Sequence, residues 1–120
     1  MTARLEEIGH RRVLFFPEDG APLAVPGDAN DFLSETWALK ATAAVMPVSR
    51  LAPEFLQLRT RLAGEVIQKF VNYQVLLVIL GDISEAAGES GALRDFIYES
   101  NRGKAVWFLE SEAALREKLR

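Results

Sequence analysis

Apolar and polar residues repeat along this chain with two different periods, and the changes of period mark out its elements. Val75-Leu76-Leu77-Val78-Ile79-Leu80 is an unbroken apolar run, the pattern of a strand covered on both faces. Ala105 to Leu109 reads as another strand, and Ala43 to Val48 as a third. Pro47 lies inside the last of these and cannot donate a ladder hydrogen bond, so it belongs at a strand end or on an edge. Between residues 54 and 72 the period lengthens. Phe55, Leu58, Leu62, Val66 and Phe70, with Leu56, Ala63 and Ile67, share one broad face, while Arg59, Arg61, Glu65, Gln68 and Lys69 fall largely opposite. That spacing predicts a helix over the whole stretch, with Gly64 marking close backbone packing at a cost of about 1 kcal/mol relative to alanine. Shorter helical patterns cover 29–41, the stretch from Ser90 or Gly91 to Asn101, and the residues after Ser111. Gly103 suits a left-handed cap for the second. Ser111 caps the third, with Glu112 in its first turn and Lys118 and Arg120 at its end.

At the start of the chain, Val13 to Phe16 and Pro22 to Val25 flank Pro17-Glu18-Asp19-Gly20-Ala21. An Asp-Gly between two apolar stretches signals a hairpin. Residues 1–11 then remain as a loosely attached N-terminus. The element order is ββαβαβαβ with a closing helix. Strands separated by helices imply right-handed parallel crossovers. The expected fold is therefore α/β: a mixed, mostly parallel sheet with an antiparallel N-terminal hairpin and about four helices. Residues 1–120 are expected to make one domain.

Composition narrows the chemistry. With 14 basic and 17 acidic residues the formal net charge is −3, which argues against a nucleic-acid partner held by phosphate neutralisation. There is no cysteine, so thiolate nucleophiles, zinc fingers and iron–sulfur clusters are excluded. One histidine, His10, cannot build a multi-histidine metal site, and no orienting acid or nucleophile is suggested near it. No metal and no cofactor are expected. The charged segment Met1 to Arg12 lacks the apolar stretch of a secretory signal, and the run at 75–80 is far shorter than the ~20 residues of a membrane helix. The expectation is a cytoplasmic protein without a membrane partner.

Several stretches together carry a resemblance. They are Arg61-Leu62-Ala63-Gly64-Glu65-Val66-Ile67-Gln68-Lys69-Phe70-Val71-Asn72-Tyr73 running into Val75, then Gly81-Asp82-Ile83-Ser84, and then Asp95 to Lys104. The chain resembles a bacterial family known as domain of unknown function 4180, specifically from about residue 55 onward and collinearly from the hairpin. That resemblance implies no activity, substrate or catalytic residue. Family members usually carry a serine or small polar residue where this chain has Arg59, just before Thr60. A more distant similarity is architectural. Two leading strands followed by alternating helices and strands look like the STAS domain of anti-sigma factor antagonists, which docks onto partner proteins and is often switched by serine phosphorylation. The corresponding loop, Ser49 to Phe55, contains Ser49, with Thr60 further on, but lacks the aspartate–serine signature.

Ligands of open α/β sheets usually bind at the carboxyl ends of the strands, where the order places Ser49-Arg50, Asp82-Ile83-Ser84-Glu85 and Glu110-Ser111. Asp82 is read first as a turn residue, whose side chain mimics backbone hydrogen bonds, and second as a general base, magnesium ligand or acceptor. Arg59 and Arg61 with Lys69 form a basic strip, read as a solvated face or as a surface for an acidic partner. Asn72-Tyr73 and Glu99 to Gly103 lie at helix carboxyl ends, read as helix stops or as a polar recognition patch. Trp37 and Trp107 are core or interface aromatics. Gly88-Glu89-Ser90-Gly91 invites a phosphate reading but lacks the Gly-x-x-x-x-Gly-Lys-Ser/Thr pattern and carries acidic neighbours.

With no catalytic constellation, the chain is expected to be a non-catalytic protein-interaction module of STAS-like architecture. Its contact surface is expected on the Ser49–Arg61 loop and helix, with Arg50, Arg59, Thr60 and Arg61. The alternative is a small-ligand binder or enzyme using Arg50, Asp82 and Ser84. A homodimer through the hairpin edge or an aromatic-bearing helix is a third reading.

Overall fold

The computed structural model describes residues 3–120. Five strands form one sheet whose spatial order follows the chain: β1 (Arg4–Ile8), β2 (Arg11–Phe15), β3 (Ala43–Pro47), β4 (Leu76–Leu80) and β5 (Val106–Leu109). β1 pairs antiparallel with β2, and every other pairing is parallel. The helices are α1 (Ala29–Ala38), α2 (Leu62–Asn72), α3 (Ser84–Glu89), α4 (Gly91–Arg102) and α5 (Glu112–Leu119). The fold is mixed α/β, as the periodicities predict. Pro47 ends β3, where its missing donor costs least. Among the described residues no helix is long and apolar enough to cross a membrane.

Strand alternation sorts the core into two layers. Leu14, Ala44, Leu77 and Val106 sit side by side in the register and face α1, α2 and α4, packing with Phe32, Leu33, Val66 and Phe70. Right-handed crossovers that all step the same way must leave their helices on that one side. Phe15, Val45 and Val78, one position on, face the other way and are covered by α5 through Leu115 and Leu119. Two ion pairs tie α5 to the far edge strand, Arg4 to Glu112 at 2.9 Å and Arg116 to Glu6 at 2.8 Å.

The hairpin lies one segment earlier than the apolar pattern indicates. Its strands are β1 and β2, joined across the two-residue turn Gly9-His10. From Arg4 on, the segment expected to hang loose is a paired edge strand; residues 1 and 2 lie outside the described residues. Pro22 to Val25 is not a strand, and only Leu23 makes a single parallel bridge, to Leu51. Prolines at 17 and 22 deny that segment ladder donors. Of the charges of β1 that obscured it, Arg4 and Glu6 pair with α5 and Glu7 pairs with Arg12 of β2.

The helix expected over 54–72 also differs. Residues 53–56 and 58–60 form short 3-10 turns, and Arg61 adopts φ 66° before α2 begins. The Thr60 hydroxyl lies 2.7 Å from the Glu54 carbonyl and 2.8 Å from that of Gln57, and accepts from the Leu62 amide. It thereby breaks the helix by offering the backbone local partners. α3 was hidden by its short, weakly apolar sequence. Ser90 and Ser111 do cap α4 and α5, accepting from the amides of Leu93 and Ala114. Gly103 is extended (φ −95°, ψ −162°), not left-handed. α4 is instead held at its end by Asn101, whose amide nitrogen donates to the Phe108 carbonyl and whose carbonyl oxygen accepts from the Phe108 amide.

Candidate functional site

The loops after β3 and β4 form the carboxyl edge of the sheet, and they enclose a cleft of about 690 Å³. Arg59, Gln57 and Leu56 line one side; Asp82, Glu85 and Glu89 line the other. The strand order never reverses, so no crevice opens from helices diverging to opposite faces. The 3-10 turns and α3 wall this cleft instead.

Asp82 opens α3. Its Oδ1 accepts the Ser84 amide at 2.9 Å, and hydrogen bonds from the Ser84 side chain first and backbone second hold its carboxyl below the usual aspartate range. Asp82 and Ser84 are thus brought together as a turn, which is what the simpler reading of the aspartate described. A carboxylate stabilised in its charged form is a poor general base near neutral pH. Arg59 is exposed and makes one long contact, Nη2 to the Gln57 Oε1 at 3.4 Å. Thr60, as described, is occupied by the backbone. Arg61 is exposed on a shallow groove with Leu58, Gly64, Glu65 and Phe96.

Ser49 donates to the Glu18 carbonyl at 3.1 Å. Arg50 turns inward and is only 7% exposed. Its Nε donates to the Ala21 carbonyl at 3.0 Å and Nη1 to that of Pro17 at 2.9 Å, with the guanidinium 5.0 Å above the Phe32 ring. Arg50 lines a separate cavity from Asp82, so the trio Arg50, Asp82 and Ser84 does not converge on one point. His10 sits in the β1–β2 turn, at the edge where the parallel strands begin. Among the described residues no group of three histidine, cysteine, aspartate or glutamate side chains is placed to hold a metal.

At that amino edge the structure pairs two residues that the sequence did not connect. Trp37, near the end of α1, is 76% exposed, and Tyr73, just past α2, is 63% exposed. They line a shallow hollow of about 200 Å³ with Leu33, Asn30 and Ser34. Leu39 and Val71 are also exposed on the same two helix ends. Trp37 stands four residues after buried Leu33, so helical spacing alone groups it with the buried stripe and gives no local signal that it faces outward. Trp107, by contrast, is half-buried, donates Nε1 to the Gly103 carbonyl at 2.8 Å and carries the Lys118 ammonium 4.8 Å from its ring.

No curated protein and no solved structure matches the chain. The model of one family, described as a domain of unknown function (DUF4180), matches residues 8–119. Strands β2 to β5 and every helix fall within that match, and the chain belongs to the DUF4180 family.

Proposed function

We propose that the protein is a non-catalytic, cytoplasmic interaction module that docks a protein partner on the surface of Trp37 and Tyr73. The observation that carries this reading is the exposure of that pair. An uncovered tryptophan beside an uncovered tyrosine is the residue chemistry of binding hot spots, and an exposed apolar patch is informative where an isolated exposed leucine is not. The hydroxyls of Ser49 and Thr60 and the carboxylate of Asp82 are engaged locally, which suits docking better than covalent chemistry. The order of two leading strands followed by alternating helices and strands is STAS-like and fits the same role. Exposed Arg59 and Arg61 lie toward the opposite, carboxyl edge and form no part of this surface, and Arg50 is committed inside.

The test compares the wild-type chain with a Trp37→Ser, Tyr73→Ser double variant. Both positions are exposed, so the variant should keep its unfolding midpoint within about 0.5 kcal/mol. A purified partner that binds the wild type should bind the variant at least about tenfold more weakly, as the loss of a hot spot demands. Sedimentation of the chain alone identifies a second copy as the partner when a wild-type dimer becomes a monomer in the variant. Equal binding by variant and wild type would exclude this surface. The cleft of Arg59 and Asp82 supports the second reading, a small-ligand site, and Arg59→Ala would then abolish ligand-induced stabilisation.

A further inference from the structure

Among the described residues, Arg50 is the charged side chain buried in the core, and no carboxylate forms an ion pair with it. Two of its three nitrogens donate to the carbonyls of Ala21 and Pro17. The third, Nη2, has no hydrogen-bond partner among the described residues. It is also not sealed off, since no buried polar side-chain atom lacks a partner. Gly20 packs so closely over this group that an added Cβ would lie 2.6 Å from Nη2. A buried charge ordinarily has a partner of opposite sign.

Arg50 also lines a cavity of about 340 Å³, at the small end of the ~300–1,000 Å³ range of ligand sites, together with Phe16, Phe32, Asp19, Asp31 and Glu35. Asp31 and Glu35 are one turn apart on the exposed side of α1. Among the described residues the carboxylates of Asp19, Asp31 and Glu35 make no hydrogen bond or ion pair. A fourth, Asp28, is already engaged by the amides of Ala24 and Val25. The lining is therefore dipolar, with a cationic donor in the inner wall and three free carboxylates around it. An anion alone would be repelled by the carboxylates, and a cation alone would leave Arg50 unmatched. We infer that this cavity binds a small zwitterion, an amino acid whose carboxylate meets Arg50 and whose ammonium lies between Asp31 and Glu35. The site goes beyond the docking surface of Trp37 and Tyr73 and does not depend on it.

Calorimetric titration of the full chain with glycine, β-alanine, γ-aminobutyrate and ε-aminocaproate tests this and reads the spacing of the two charges. One of the four should bind best. The matching alkyl carboxylate and alkylamine should each bind about tenfold or more weakly, the scale of one lost charge-assisted hydrogen bond. Asp31→Asn and Glu35→Gln, on the surface and checked for folding by circular dichroism, should weaken that zwitterion similarly, while Lys104→Ala, exposed and outside the cavity, should not. Absence of binding by all four at millimolar concentration would overturn the proposal, as would an alkylamine that binds as well as the zwitterion.

Discussion

Arg50 and Arg59 carry the same guanidinium in opposite surroundings, one buried and one exposed. The structure separates them by what surrounds the guanidinium. Arg50 fastens the loop 17–23 by two hydrogen bonds to carbonyls and packs on Phe32, whereas Arg59 is exposed with one weak contact. Arg50→Ala should therefore cost about 2–4 kcal/mol, from lost charged hydrogen bonds and a small cavity, and Arg59→Ala under about 0.5 kcal/mol. Urea unfolding of the two variants reads the difference directly, and equal midpoints would contradict it. Nothing local distinguishes the two side chains, because the carbonyls that receive Arg50 belong to a loop some thirty residues earlier. Asp82 was legible because its partner, Ser84, is only two residues away.

Elements follow the same rule of reach. The strands β3, β4 and β5 and the Ser111 cap of α5 could be read from their own residues, whereas the Gly103 cap expected for α4 is absent. The first strand could not, because Arg4-Leu5-Glu6-Glu7-Ile8 lacks an apolar alternation and is held by its ladder to β2 and by ion pairs with α5. Glu6 shows what that pairing does. The Arg116 guanidinium, hydrogen-bonded to it, holds the Glu6 carboxyl below its ordinary 4.5. Since the folded value lies below the unfolded one, the pair's stabilisation is fully present above about pH 4.5 and is lost as pH falls through the lowered value. Glu6→Gln should lower the unfolding midpoint at pH 7 and have no effect once the carboxyl is protonated in both states. An equal difference at both extremes of pH would show that the ion pair is not the cause.

For the whole molecule, the sheet is covered by three crossover helices on one face and a single short helix on the other. That asymmetry was half visible. The apolar run of β4 indicated cover on both sides, but the order of elements alone does not say which helix supplies the second layer. Leu115 is fully buried among Val13, Phe15, Val45 and Val78, so it stands for that layer. Leu115→Ala should cost about 2–5 kcal/mol, a large part of the ~5–15 kcal/mol that holds a domain of this size. Calorimetric unfolding would show it as one cooperative transition at a lower temperature, and a loss below about 1 kcal/mol would mean that α5 is a loosely held appendage. The aromatic pair of Trp37 and Tyr73 was the least legible feature, because it forms only when the ends of two helices come together in space.

The clasp between α5 and β1 also fixes the order in which the molecule can be completed. Glu6 and Arg116 are 110 residues apart, and the face that Leu115 closes is built from strands made long before it. On the ribosome, the first four strands can assemble with their helices on one side while Val13, Phe15, Val45 and Val78 still face water. The nascent chain therefore carries an open apolar sheet face until α5 emerges, a stage at which a chaperone or another nascent copy competes with α5 for that face.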